Sequence, residues 1–379
     1  MLQKLIQSVF QNLKNCIGWK TRRKIVVFSV DDYGNVRVNS KQARENMDAV
    51  GMKIYSRFDL LDTLETTQDL EQLFEVLSSV KDKNNRPAIF TPFALPCNID
   101  FEKMESDDFQ QFQFELLPKT YQKLATQQPE AYKGAWDLWQ SGIAKGLLKP
   151  QFHGREHLNL HIFNDKLQKR DNELLVALKN RSFTSISDEE YPTISSTAAF
   201  DFWDVKENEK LAGMIEEGLQ LFEKVYGYSS TYCTPPVYNI HHSLFPTLYK
   251  NGIRFIDLGL VRNEHQGFNR YKKSINYIGK STKEGLSIMV RNVVFEPTED
   301  RGIDWVAFTM KQIETAFRWN KPAIISSHRV NFCGHIDPLN REKGLTSLKS
   351  LLDQIVKKWP DVEFMAADEM AETLKNKRR

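Results

Sequence analysis

The stretch Lys24-Ile25-Val26-Val27-Phe28-Ser29-Val30-Asp31-Asp32-Tyr33-Gly34 reads as a strand that ends in two carboxylates. Ile25 to Val30 is a run of mostly apolar, β-branched residues, bounded by polar residues and a glycine. That is the pattern of a parallel strand buried on both faces. Side chains at the C-terminal end of such a strand sit where α/β folds keep their chemistry. An Asp-Asp pair alone is commonest as a solvated turn or a helix cap.

Downstream, His153-Gly154-Arg155-Glu156-His157 changes the weight of that pair. On a helical turn His153 and His157 would project from one face and could share a cation, with a carboxylate as third ligand. Two imidazoles and one carboxylate with open positions suit zinc or another first-row divalent ion. A second aspartate is left over for acid–base work. Neighbouring side chains diverge along a regular strand, so the two aspartates can take separate tasks where the backbone turns at the strand's end.

The chain of 379 residues is 41% hydrophobic and 27% charged, with a formal net charge of +3. Those values fit a globular protein with one large domain, and the scattered basic residues make no case for nucleic acid. Cys16, Cys97, Cys233 and Cys333 lack paired spacing, which points to reduced thiols and a cytoplasmic setting rather than a disulfide framework. Residues 1–23 carry no Asp or Glu and place Leu2, Leu5, Ile6, Val9, Phe10, Leu13 and Ile17 at helical spacing among cations. Such a basic amphipathic segment either packs on the domain or lies on an anionic inner-membrane surface through residues 1–24. It lacks an apolar run of signal-peptide or membrane-spanning length.

Beyond it, strand-like runs alternate with helical ones. The strand pattern appears at 87–93, 148–152, 182–187, 229–234, 253–258, 286–295, 323–327 and 362–366, and the helical pattern at 69–80, 209–226, 303–319 and 345–359. This alternation predicts βα units wound into a parallel barrel or sheet. Residues 98–145 are rich in aromatics and glutamine without a strand signal. We read them as a helical insertion that either shapes a substrate pocket or packs against the barrel.

Taken in order, Asp31-Asp32, His153-x-x-x-His157, Thr234-Pro235-Pro236-Val237-Tyr238 and Ile324-Ile325-Ser326-Ser327-His328 resemble the polysaccharide deacetylase family, carbohydrate esterase family 4. The resemblance spans 24–374 and implies a distorted (β/α) barrel of that type. It implies an enzyme that removes acetyl groups from N- or O-acetylated sugars with a divalent metal, usually zinc. Carried over by position, Asp31 is similar to the catalytic base and His328 to the general acid. Asp32, His153 and His157 are similar to the metal ligands. Arg291, Arg329, Asn331, Pro236 and Tyr238 are then candidates for substrate contact. The substrate would be an acetylated sugar, glycolipid or nucleotide sugar. The strings around Asp31, His153 and His328 resemble an atypical bacterial branch linked to surface-glycan assembly.

The sequence departs from the family pattern at two places. Tyr33 stands where a glycine usually follows the aspartate pair, and Thr234 stands where an arginine usually precedes the proline motif to contact the catalytic aspartate. Arg291 and Arg329 are the candidate replacements. Two other readings compete: a barrel that binds glycans without catalysis, and a His-x-x-Glu-His metallopeptidase with Glu156 as base. The peptidase needs a continuous helix through Gly154 and leaves the aspartate pair idle. His161 would serve as a surface or supporting residue, and His241, His242 and His335 as polar loop residues.

Overall fold

Lys24 to Tyr33 forms the central strand, with every residue after the half-buried Lys24 buried. The computed structural model describes residues 11–186 and 189–374. Its strands are β1 (Lys24–Tyr33), β2 (Phe90–Ala94), β3 (Cys97–Ile99), β4 (Phe114–Leu116), β5 (Gln151–Phe152), β6 (Tyr232–Cys233), β7 (Phe255–Asp257), β8 (Val261–His265), β9 (Tyr271–Ile275), β10 (Lys280–Ser281), β11 (Ser287–Met289), β12 (Val293–Val294), β13 (Ala323–His328) and β14 (Val362–Phe364). A 10-stranded sheet runs in the order β10-β11-β7-β6-β5-β2-β1-β13-β12, with β14 also paired to β1. Every pairing in that sheet is parallel except β10 with β11.

The sheet curls. Its last parallel strands on either side, β11 and β12, are joined only by Val290, Arg291 and Asn292, a link that reaches at most about 14 Å. The result is a distorted (β/α) barrel with a seam, and helices cover its outer face. Those helices stop and start where local chemistry directs. Thr66 caps the helix Thr67–Ser78 through a capping box with Asp69, Asp304 caps Trp305–Arg318 through the Ala307 N–H, and Gly227, at φ 81, ends Asn208–Tyr226. Such caps satisfy backbone groups that helix ends leave orphaned.

Several elements differ from the sequence-based expectation. Ser182–Ile186 forms no strand, and Ser187 lies outside the described residues. Its backbone N–H groups go elsewhere, Phe183 to the Arg37 carbonyl, Ser185 to Asp59 and Ile186 to Ser196, so no ladder forms. The expected strand over 286–295 is broken at the seam into β11 and β12. The insertion opens with an antiparallel pair, β3 with β4, which flanks the helix Phe101–Ser106 and precedes the helices Leu117–Gln127, Pro129–Tyr132 and Ala135–Ala144. A second hairpin, β8 with β9, is mostly polar and exposed, which hides its alternation.

The insertion's aromatics pack inward. Tyr121, Tyr132 and Trp139 are buried, and the Trp139 Nε1–H donates to Tyr121 at 2.9 Å and to Glu65 at 3.2 Å. Near the N-terminus, residues 11–16 are helical. There Asn15 is buried and accepts a hydrogen bond from Asn292, whereas Leu13 and Ile17 are exposed; the apolar positions Leu2 to Phe10 lie outside the described residues. None of the described helices is long and apolar enough to cross a membrane. All four cysteines are free thiols, three of them buried.

Candidate metal and acid–base site

The C-terminal ends of the parallel strands gather the functional side chains. Asp31 and His328 are register partners across β1 and β13. After Val30 the pairing of β1 with β2 slips by a bulge, and Asp32 adopts φ 75, a left-handed conformation that costs energy in a non-glycine residue. This turn sends the two neighbouring carboxylates in different directions. Asp32 faces the histidines, and Asp31 faces the seam.

His153 and His157 do not lie on a helix. Residues 153–159 form a bend between β5 and the helix Leu160–Gln168, and Gly154 at φ 118 makes the reversal possible. The bend brings both Nε2 atoms to Asp32 Oδ1, His153 at 3.5 Å and His157 at 3.1 Å. The His153 Nδ1–H donates to the Thr234 carbonyl at 2.7 Å, so Nε2 carries the lone pair, as a ligand nitrogen must. That Nε2 and His157 Nδ1 are buried without a hydrogen-bond partner, an arrangement that costs energy unless something else engages the ring. Donor atoms of Asp32, His153 and His157 lie within 4.8 Å of one another. Burial pushes the Asp32 carboxyl up, but the adjacent His153 and His157 outweigh it and hold the group well below the usual carboxylate range. Burial, against the pull of Asp32, lowers His157 and keeps it neutral. A divalent cation requires an ionised carboxylate and neutral imidazoles as ligands, and the directions at Asp32 and His157 are of that sense.

Among the described residues, two other clusters of donor side chains serve less well. Glu264, beside His241 and His242, is already paired with Arg262 at 2.8 Å. Asp100, Glu102 and Glu115 share the Lys123 ammonium, which stands in the place of an ion.

Arg291 enters from the seam. Its Nη1 and Nη2 donate to the two oxygens of Asp31 at 2.7 and 2.8 Å, and Nε donates to Asp257 at 2.8 Å. Thr234, at the position where the resemblance leads one to expect an arginine, accepts from Arg291 and donates to Asp257. The cation absent from β6 is thus supplied from beyond β11. Opposite, the His328 Nδ1–H donates to Glu296 at 2.7 Å, and Nε2 stands 3.9 Å from Asp31. Burial lowers His328, but the Glu296 carboxylate and then Asp32 and Asp31 outweigh it and raise the imidazole to about 9. Glu296 is held in turn by Arg57 and Asn331.

Asp31, Asp32, His153, His157 and His328 line a cleft of about 400 Å³ with Arg37, Ser56, Phe58, Ser185, Ser195, Thr197, Pro235, Val237 and Tyr238, whereas Arg291 and Glu296 are not among its lining residues. Val237 and Tyr238 both have positive φ, 56 and 57, which marks a strained turn on the cleft wall. Other expected contacts do not reach the cleft. Arg329 is 1% exposed and bound to Asp62 and Glu65, so its donors serve the core beneath. Asn331 is 0% exposed and braces Glu296 and the His328 carbonyl. Pro236 is buried behind the wall formed by its neighbours. None of the cleft's lining residues belongs to the insertion 98–145. Glu156 pairs with Arg155 at 2.5 Å and orients neither histidine. His161 pairs with Glu207 at 3.3 Å in a separate cavity of about 460 Å³.

Glu296, Asp257 and Arg37 were not anticipated. Glu296 and Asp257 could have been: each is a carboxylate at the end of an apolar run, as Asp31 is. Arg37 and Thr197 lie in irregular segments that carry no periodic signal, and Ser185 lies in a run whose strand pattern forms no strand.

No family model matches the chain, and no curated protein matches it. Among solved structures, a protein described as a polysaccharide deacetylase from Mycobacterium smegmatis is 10% identical, with 96% of this chain and 94% of that one covered and a TM-score of 0.43. A protein described as a glycoside hydrolase/deacetylase from Parabacteroides distasonis is 9% identical over 95% of this chain and 73% of that one, with a TM-score of 0.48. A 4-alpha-glucanotransferase from Thermococcus litoralis is 13% identical over 92% of this chain and 40% of that one, with a TM-score of 0.45.

Proposed function

We propose that this protein is a metal-dependent hydrolase that removes the acetyl group from an N-acetylated sugar. The observation that carries the reading is the opposition of Asp31 and His328 beside the Asp32, His153 and His157 cluster. A divalent ion held by those three side chains, zinc by the nature of the donors, would polarise the acetyl carbonyl and acidify water. Asp31, oriented by both arms of Arg291, takes the proton from the attacking water as general base. His328 holds a proton on Nε2 because Glu296 stabilises the imidazolium, and it passes that proton to the leaving nitrogen. Tyr238 and Pro235 form the wall against which the sugar rests.

The competing readings lose their support. The inactive barrel rested on a missing arginine, and Arg291, from the link between β11 and β12, donates to both oxygens of Asp31. The peptidase required a helix through 153–157 and a free Glu156, whereas the segment is bent and Glu156 is tied to Arg155. Acetate release from N-acetylated sugars by the zinc-loaded protein, beside Asp31→Asn, tests the reading. Equal release by both proteins would sink it.

A further inference from the structure

One cleft residue has no place in that reaction. Arg37 follows β1 on a backbone pinned from both sides, with the Val36 N–H donating to Asn98 at 2.8 Å and the Phe183 N–H donating to the Arg37 carbonyl at 2.7 Å. Its side chain is 6% exposed and faces Asp59, which is 0% exposed. The pairing uses one edge of the guanidinium. Nε and Nη2 both donate to Asp59 Oδ1, at 3.2 and 2.7 Å, and Nη2 also donates to Ser185 at 2.7 Å. Asp59 is saturated, because Oδ1 also accepts from the Ser185 N–H and Oδ2 from Ser56. Nη1 bonds to none of the described residues and is not among the sealed, unsatisfied polar atoms.

A carboxylate engages one two-nitrogen edge of a guanidinium, so the pairing with Asp59 leaves Nη1 to other partners. Here the buried carboxylate fixes the guanidinium and leaves one nitrogen for the cleft. Around it the cleft offers hydroxyls: Ser185, and Ser195 with Thr197, whose oxygens are 2.8 Å apart. Apart from Asp31 and Asp32, no carboxylate lines the cleft among the described residues. Those two are engaged by Arg291 and by the histidines.

We propose that Arg37, with Ser185, Ser195 and Thr197, is an anion subsite, and that the substrate is an N-acetylated sugar bearing a phosphate ester or a carboxylate. The proposal rests on the deacetylase reading for the rest of the substrate. A preoriented guanidinium among hydroxyl donors recognises either oxyanion without reorganising.

The test compares three ligands: N-acetylglucosamine 1-phosphate, N-acetylglucosaminuronic acid and the neutral methyl glycoside of N-acetylglucosamine. Each is measured for acetate release with the zinc-loaded protein and for affinity by calorimetry with zinc-loaded Asp31→Asn. The paired change Arg37→Gln with Asp59→Asn removes the subsite without leaving a buried charge alone, and Arg37→Lys keeps the charge without the fork. We expect the wild type to favour one anionic sugar over the neutral one by at least about tenfold, and the ratio to fall to about one in the paired variant. Which anion is favoured distinguishes a phosphate-linked carrier from a uronic acid. A loss shared equally by neutral and anionic sugars would overturn the proposal and place Arg37 on the charge that develops during reaction. Equal turnover of all three sugars by both proteins would overturn the subsite while leaving the deacetylase standing. Binding that depends on Arg37 without acetate release would support the subsite and sink the deacetylase.

Discussion

Arg291 holds both oxygens of Asp31 at 2.7 and 2.8 Å from the short link that closes the curled sheet. The link can do this because β11 and β12, the last parallel strands on either side of the seam, meet there and aim the intervening residue across the barrel mouth. The same guanidinium reaches Asp257, so one cation neutralises two buried carboxylates. Removing it leaves both unpaired, at a cost of about 3–5 kcal/mol. Arg291→Gln is therefore expected to lower the denaturant midpoint and to reduce acetate release as far as Asp31→Asn does. Arg291→Lys, a point charge that cannot span three oxygens, falls between. Wild-type stability and turnover in Arg291→Gln would detach Asp31 from the proposed chemistry.

The metal and base roles separate by substitution. Asp32→Ala, His153→Ala and His157→Ala each remove a donor from the cluster within 4.8 Å, and elemental analysis after dialysis is expected to find the divalent ion in wild type and not in the variants. Asp31→Asn is expected to keep the ion and slow turnover by about 10²–10⁴-fold. An ion retained by His153→Ala and His157→Ala alike would move the site elsewhere.

His328 sets the alkaline limit. Its folded value of about 9 lies above the ordinary 6.5, so its contribution to stability is complete below about 6.5 and is lost as pH rises through 9. As the proton donor it must be charged, so kcat/KM is expected to fall above about 9. Glu296→Gln removes the strongest raising influence and is expected to draw that limb toward 6.5. A limb that stays in place in Glu296→Gln would assign it to another group.

Much of this was legible in the sequence because periodicity and strand-end chemistry are local. Ile25 to Asp32 announces a buried strand and its carboxylates, and His328 ends a second such strand. What escaped depended on curvature. Nothing local to Arg291 tells that the strand expected over 286–295 breaks there, since the break follows from the sheet closing on itself. The His153 and His157 spacing suggested a helix, yet Gly154 allows a bend that converges the rings equally well. Arg329 and Asn331 sit beside His328 in sequence but point beneath it, because the chain turns there into the short helix Arg329–Phe332.

The insertion's role is open to the same kind of test. Its aromatics could have lined the substrate cleft, but they instead enclose Glu65, whose carboxylate accepts from Tyr121 at 2.7 Å and from Arg329 at 2.8 Å. Glu65 also accepts from the Gly34 N–H at 3.0 Å, just beyond the aspartate pair. The insertion thus buttresses the back of the site through a buried polar network. Trp139 is the largest of its fully buried side chains, and replacing it with alanine opens a cavity and removes a donor to that network. Trp139→Ala is expected to cost about 3–5 kcal/mol in denaturant unfolding, while the folded fraction keeps the wild-type KM because no insertion residue lines the cleft. A variant of unchanged stability whose KM rises severalfold would reverse the assignment and make the insertion part of the substrate pocket.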